Sequence, residues 1–226
     1  MNEALLAPAA DALSPLLDKV VFLGGATIGL WLTDPAARAP RVTYDVDVVV
    51  EVTSLSGYET FQAQLRALRF REDIDSGVIC RWKHADRAII LDAVPVEQRL
   101  AGFTGRWLRR AASHADTVTL ASQQIIRAIV PPWLIVTKLE AFADRGNDDC
   151  LTSRDFEDLV TLVDGREQLT NEIAALPPDA GTYMREQLTR ISALRDYHYG
   201  VEGALAGDRA RAQAVTLPRL DALTRQ

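Results

Sequence analysis

The stretch Val20-Val21-Phe22-Leu23-Gly24-Gly25, followed after an interval by Val42-Thr43-Tyr44-Asp45-Val46-Asp47-Val48-Val49-Val50, decides how this chain of 226 residues reads. Val20 to Leu23 is a short β-branched and aromatic run that stops at two glycines. The following residues, Ala26 to Leu32, suit a helix until Asp34-Pro35 ends it. Strand, glycine turn and helix is therefore the expected order. Pro35 and Pro40 bracket a loop. Beyond it, Val42 to Val52 alternates and then becomes continuously apolar, as a central strand does.

Side chains at i and i+2 of a strand point the same way, so Asp45 and Asp47 project together while Val46 and Val48 pack on the other face. On an exposed edge strand such a pair would merely be solvated. The apolar residues around it are instead those of an interior strand, where two carboxylates need compensating charge. A third aspartate, Asp92, ends the apolar part of Ala88-Ile89-Ile90-Leu91-Asp92-Ala93-Val94, and an adjacent strand could bring it alongside. Three carboxylates so placed suit Mg²⁺ or Mn²⁺, which prefer oxygen ligands, and a pair of such ions can serve both the attacking and the leaving oxygen of a phosphoryl transfer. Gly24-Gly25 supplies the complement, a turn at which backbone N–H groups can approach a phosphate. A tight turn requiring positive φ explains the same two glycines without any ligand.

Working outward, Glu3 to Leu17 and Ser56 to Leu68 carry helical spacing, and further strands are expected at Val78 to Lys83, Ala88 to Val94 and Thr117 to Leu120. After Pro131-Pro132 the character changes. Trp133 to Arg145, Ser153 to Val163, Arg166 to Leu176 and Asp179 to Tyr199 all read as helices, punctuated by Gly146, Gly165 and Pro177-Pro178. Strands early and helices late predict an α+β domain over residues 1–130 and a helical domain over 131–226.

Composition narrows the function classes. With 48% hydrophobic and 25% charged residues, the chain has the make-up of an ordinary globular protein. The longest uncharged stretch near the N-terminus, Val20 to Leu32, falls short of a bilayer span, and Met1 to Ala10 lacks a basic cluster before an apolar run. A cytoplasmic protein with no membrane partner is expected. A net charge of −6 argues against non-specific coating of nucleic acid while leaving room for a local basic patch. Arg106-Trp107-Leu108-Arg109-Arg110 is one such patch, readable either as a surface that tracks an RNA backbone or as a solvated helix face. Cys80 and Cys150 form no paired-cysteine site, and His84, His114 and His198 show no metal-ligand spacing. No serine or cysteine has an evident base, so nucleophilic hydrolysis has no support.

The second half adds its own chemistry. Lys138 is one of only three lysines, against 22 arginines, and lies on an otherwise apolar helix as a compact cation suited to a triphosphate oxygen. Asp155 and Asp158, three apart, share a helix face where one could orient Lys138 or Arg145 and the other could meet a substrate or metal. Ordinary surface pairing with Arg154, in a helical first turn, accounts for the same residues.

The Gly24-Gly25 turn before the Asp45/Asp47 strand, with a third carboxylate at Asp92, resembles the nucleotidyltransferase superfamily. The interval here, nineteen residues between Gly25 and Asp45, is longer than usual for that family, consistent with an insertion at Asp34 to Arg41. Lys138-Leu139-Glu140-Ala141, Arg145 and Arg154-Asp155-Phe156-Glu157-Asp158-Leu159 look like the Lys-Leu-x-Ala, Arg and Arg-Asp-x-x-Asp-Leu motifs of AbiEii/AbiGii-type nucleotidyltransferases, which include MenT-like toxins that modify tRNA. The likeness runs from about Val20 to Leu162. It implies a nucleotidyltransferase-like mixed β-sheet with flanking helices and a C-terminal helical domain. It further implies transfer of a nucleoside monophosphate from an NTP, with Mg²⁺ or Mn²⁺ on Asp45, Asp47 and Asp92. Asp92 would be a base or third metal ligand. Lys138 and Asp158 complete the expected catalytic set, and Gly24, Gly25, Thr43, Lys138, Arg154 and Asp155 the nucleotide-binding set. The implied acceptor is RNA, in particular the 3′ end of tRNA, and the implied partner a cognate antitoxin. Transfer to a small-molecule hydroxyl, or a non-catalytic binding module on the same fold, are the alternatives.

Overall fold

The computed structural model describes residues 3–97 and 105–225, which divide into two compact units. The first comprises residues 1–30 and 42–129, and the second 31–41 and 130–226. The chain thus leaves the first unit between the glycine turn and the aspartate strand. The proline-bracketed loop belongs with the helices of the second unit, whereas the sequence had placed it in the first domain.

The first unit is built on a mixed sheet of seven strands: β1 (Val20–Leu23), β2 (Val46–Val50), β3 (Phe70–Glu72), β4 (Arg81–His84), β5 (Ile90–Pro95), β6 (Ala115–Thr119) and β7 (Ile125–Ile129), in the order β3-β4-β5-β2-β1-β7-β6. The expected α+β architecture is present. β2 runs antiparallel to β1 and parallel to β5, so it is paired on both edges, which accounts for its continuous valines. Val46, Val48, Val49 and Val50 are all fully buried. Helix α1 (Glu3–Ala12) and α2 (Leu55–Ala67) belong to this unit, with α3 (Leu108–Ser113) between β5 and β6. Ser54 caps α2 by accepting from Gly57 N, and Tyr58, Phe61 and Leu65 form its buried stripe.

Several expected boundaries move. The strand foreseen from Val42 starts only at Val46, leaving Asp45 just outside it. The helix foreseen at Ala26–Leu32 is a six-residue 3₁₀ segment, Gly25–Leu30. The opening helix ends at Ala12, and a 3₁₀ segment, Ser14–Lys19, follows where Pro15 removes a donor. Strands β3 and β7 were not foreseen. In β3 only Phe70 is buried, and in β7 Arg127 interrupts the apolar run.

The second unit is helical: α4 (Pro131–Arg145), α5 (Arg154–Gly165), α6 (Leu169–Ile173), α7 (Pro178–Ser192), α8 (Tyr197–Ala204), α9 (Arg209–Arg211) and α10 (Leu217–Arg225). Pro131-Pro132 open α4, and Ser153 caps α5 by accepting from Phe156 N. The expected helix Asp179–Tyr199 is broken into α7 and α8 because Ala193 N turns back to Arg190 O, tightening the last turn. Helices α9 and α10, joined by a π-helical stretch Ala212–Thr216, were not foreseen.

Segment 31–41 is fastened to this unit at each end. Thr33 N and Asp34 N donate to Gly165 O, Asp34 accepts from Arg211, Arg38 donates to Ala204 O, and Arg41 reaches Asp158. Gly165 is required beneath it, since a Cβ there would stand 2.7 Å from Leu32 Cδ2. Among the described residues, no helix is long and apolar enough to cross a membrane.

Candidate functional site

In the first unit the three expected carboxylates lie on or beside two neighbouring strands, β2 and β5. Asp47 on β2 and Asp92 on β5 are direct partners in a parallel pairing, so both leave the sheet on the same face. Asp45 lies two residues before Asp47. Its Oδ1 accepts from the Thr43 hydroxyl at 2.9 Å, which gives Thr43 the task of orienting a carboxylate. Antiparallel pairing of β1 with β2 sets Leu23 opposite Asp47 and delivers the glycine turn beside it. Gly24 has φ +78°, and a Cβ built on it would stand 2.7 Å from Asp47 Cγ and closer still to Oδ2. Only glycine fits both the backbone and the contact. The Thr27 hydroxyl closes the turn by donating to Gly24 O at 2.9 Å. Because the segment after the turn is a short 3₁₀ piece, no α-helical dipole stands behind Gly24-Gly25. Gly24 serves close approach to Asp47.

A residue the sequence did not disclose completes the group. Arg81, the first residue of β4, donates from Nε to Asp92 Oδ1 at 2.8 Å and from Nη2 to both Asp92 Oδ2 and Asp45 Oδ2 at 2.7 Å. Its side chain is 19% exposed, and these hydrogen bonds and charges raise its pKa further above the ordinary arginine value. Two carboxylates from separate segments thus close on one cation. Register explains it, since Arg81 is the antiparallel partner of Asp92 across β4 and β5. Among the described residues, no group of three or more His, Cys, Asp or Glu is arranged as a metal cage. The donor set is nonetheless the all-oxygen type that Mg²⁺ and Mn²⁺ take, and Arg81 marks the point at which two of its members accept positive charge.

In the second unit, Lys138, Asp155 and Asp158 are brought together and buried. Lys138 Nζ donates to Asp155 Oδ1 at 3.0 Å and to Asp158 Oδ2 at 2.6 Å. Arg145 grips Asp155 through Nε (2.8 Å) and Nη2 (3.1 Å), and Arg41 grips Asp158 through Nε (2.9 Å) and Nη2 (3.1 Å). Arg41, Asp158, Lys138, Asp155 and Arg145 therefore form one alternating chain of charge. Burial opposes ionisation of Asp155, but Lys138 and Arg145 outweigh it and bring its pKa down to about 2. Asp155 orients both Lys138 and Arg145. Arg154, expected on the nucleotide, is exposed, and Arg145 is the arginine that joins the network.

The Arg106–Arg110 patch reads differently in three dimensions. Trp107 is 3% exposed, with the guanidinium of Arg106 at 4.4 Å and that of Arg110 at 5.4 Å from its ring centroid, while Arg109 pairs with Glu97. Its ring is no stacking platform for a base. Cys80 and Cys150 are free thiols, and burial raises both pKa values.

What the fold defines is an α+β protein with a seven-stranded mixed sheet and a carboxylate group at one glycine turn. No protein-family model matches the sequence, and no curated protein matches it.

Proposed function

We propose that the chain is a Mg²⁺- or Mn²⁺-dependent nucleotidyltransferase whose reaction centre is the carboxylate group of the first unit. The observation that carries this reading is the fit of Gly24 against the Asp47 carboxylate, with Asp92 in register on the neighbouring strand. A turn stripped of side chains next to paired carboxylates is what a polyphosphate and its cations require on the same spot. Asp45, Asp47 and Asp92 would hold the divalent ions, which supply charge neutralisation at the entering and departing oxygens.

In the proposed reaction an acceptor hydroxyl oxygen bonds to the α-phosphorus of an NTP. The bond from that phosphorus to the α,β-bridging oxygen breaks, pyrophosphate leaves, and the hydroxyl proton is released to solvent. In the metal-free chain Thr43 and Arg81 hold Asp45 in place, and Arg81 holds Asp92. As one of the three carboxylates that would hold the cations, Asp92 is assigned the part of a charge holder rather than a base. The Gly24-Gly25 turn would set the triphosphate beside Asp47. Positioning and charge compensation are the protein's share, as in other phosphoryl transfers.

The acceptor proposed is the 3′ end of RNA, tRNA in particular, with a separately encoded antitoxin as partner. This rests on the likeness of the Lys138 and Arg154-Asp155-x-x-Asp158 motifs to AbiEii-type toxins. Incubation of the full chain with total RNA and each labelled NTP in turn tests it. Label on an RNA species with one NTP supports the reading, and label on no RNA with any NTP removes it.

A further inference from the structure

We infer that Arg81 is a built-in competitor of the divalent cation, holding Asp45 and Asp92 in its place until a metal displaces it. The inference rests on the proposed nucleotidyl transfer for the metal, and on the geometry of this chain for Arg81.

The observations are specific. Asp92 is 9% exposed and Asp45 half-buried, yet both turn an oxygen to the same Nη2 at 2.7 Å, and Asp92 gives its second oxygen to Nε of the same guanidinium. Charge-assisted, partly bidentate bonds of this length are the strong kind, and a partly desolvated carboxylate pair without a cation between would repel. A guanidinium and a hydrated dication cannot both occupy the space between Asp45 Oδ2 and Asp92 Oδ2. Each satisfies the same oxygens, so binding of one is release of the other.

Arg81 also has somewhere to go. It lines the wall of a cavity of ≈ 420 Å³ whose other walls include Tyr58, Gln62, Cys80 and Trp82. Arg81 opens β4, and this space gives its side chain room to turn from the carboxylates. Arg81 is accordingly a positioning residue. It keeps the two carboxylates aligned and neutralised in the metal-free protein, and it sets the concentration at which metal enters.

Mn²⁺ binding to the nucleotide-free full chain, followed by the spin resonance of free Mn²⁺, tests this apart from activity. Arg81→Gln is expected to bind Mn²⁺ about tenfold tighter than the wild type, and Arg81→Lys by a smaller factor, because an ammonium lacks the two-pronged grip. Circular dichroism checks that each variant is folded, and Arg81→Lys decides if Arg81→Gln is not. An affinity equal to or below that of the wild type in the folded variants overturns the competition. If the wild type labels RNA while the variants' affinity does not rise, this inference alone fails. If no variant binds Mn²⁺ and the wild type transfers no nucleotide, the proposed function fails with it.

Discussion

Gly24 and Asp47 are fitted to each other: the turn residue has φ +78°, and any Cβ on it would displace the Asp47 carboxylate. Pairing of β1 with β2 makes the contact inescapable, since Leu23 is the register partner of Asp47. The glycine is thus tied to the carboxylate by sterics.

Gly24→Ala tests the tie. The substitution strains a left-handed backbone, at about 1–3 kcal/mol, and pushes Asp47 aside. The expected outcome is a folded protein of lowered melting temperature whose nucleotide transfer falls by about a hundredfold or more. Thermal unfolding and the labelled-NTP assay read the two effects separately.

The chain of charge in the helical unit, buried at Lys138, Asp155 and Asp158, makes a different prediction. Lys138→Met leaves Asp155 and Asp158 buried against one arginine each, and breaking a buried ionic group of this kind costs about 3–5 kcal/mol. Urea unfolding should show that loss directly. A midpoint unchanged from the wild type would mean that Lys138 contributes nothing to the fold of its own unit.

Asp155 also sets an acid limit. Its pKa of about 2 in the folded chain lies below the ordinary 3.8, so the folded state favours the carboxylate. Stability from this group is fully present above pH 4 and is lost as pH falls through about 2. The shift corresponds to about 2 kcal/mol. Urea titrations of the wild type and Asp155→Asn should differ by at least that amount at pH 6 and converge as pH falls from 4 towards 2.

Much of this was legible in the sequence because it is local. The valines of β2, the i, i+2 aspartates, the Gly-Gly turn and the three-residue spacing of Asp155 and Asp158 each follow from one element's periodicity. Asp92 could be guessed as a companion because it sits in an apolar strand. What escaped is what depends on register between strands or on long-range closure. Arg81 meets Asp92 only because β4 is antiparallel to β5, and Arg41 meets Asp158 from 117 residues away. A hint was present in the charges. Asp45, just before β2, and Asp92 on β5 demanded a cation, and Arg81 was the arginine at the start of the strand before Asp92. Strand β3 went unseen because only Phe70 of its three residues is buried, which leaves little periodic signal.

The proposed chemistry stands or falls with Asp47. Asp47→Asn keeps the shape of the side chain beside Gly24 and removes its charge, so the folded variant should transfer labelled nucleotide at least about a thousandfold more slowly than the wild type in Mg²⁺. Transfer at the wild-type rate by Asp47→Asn would contradict the assignment of the carboxylate group as the reaction centre.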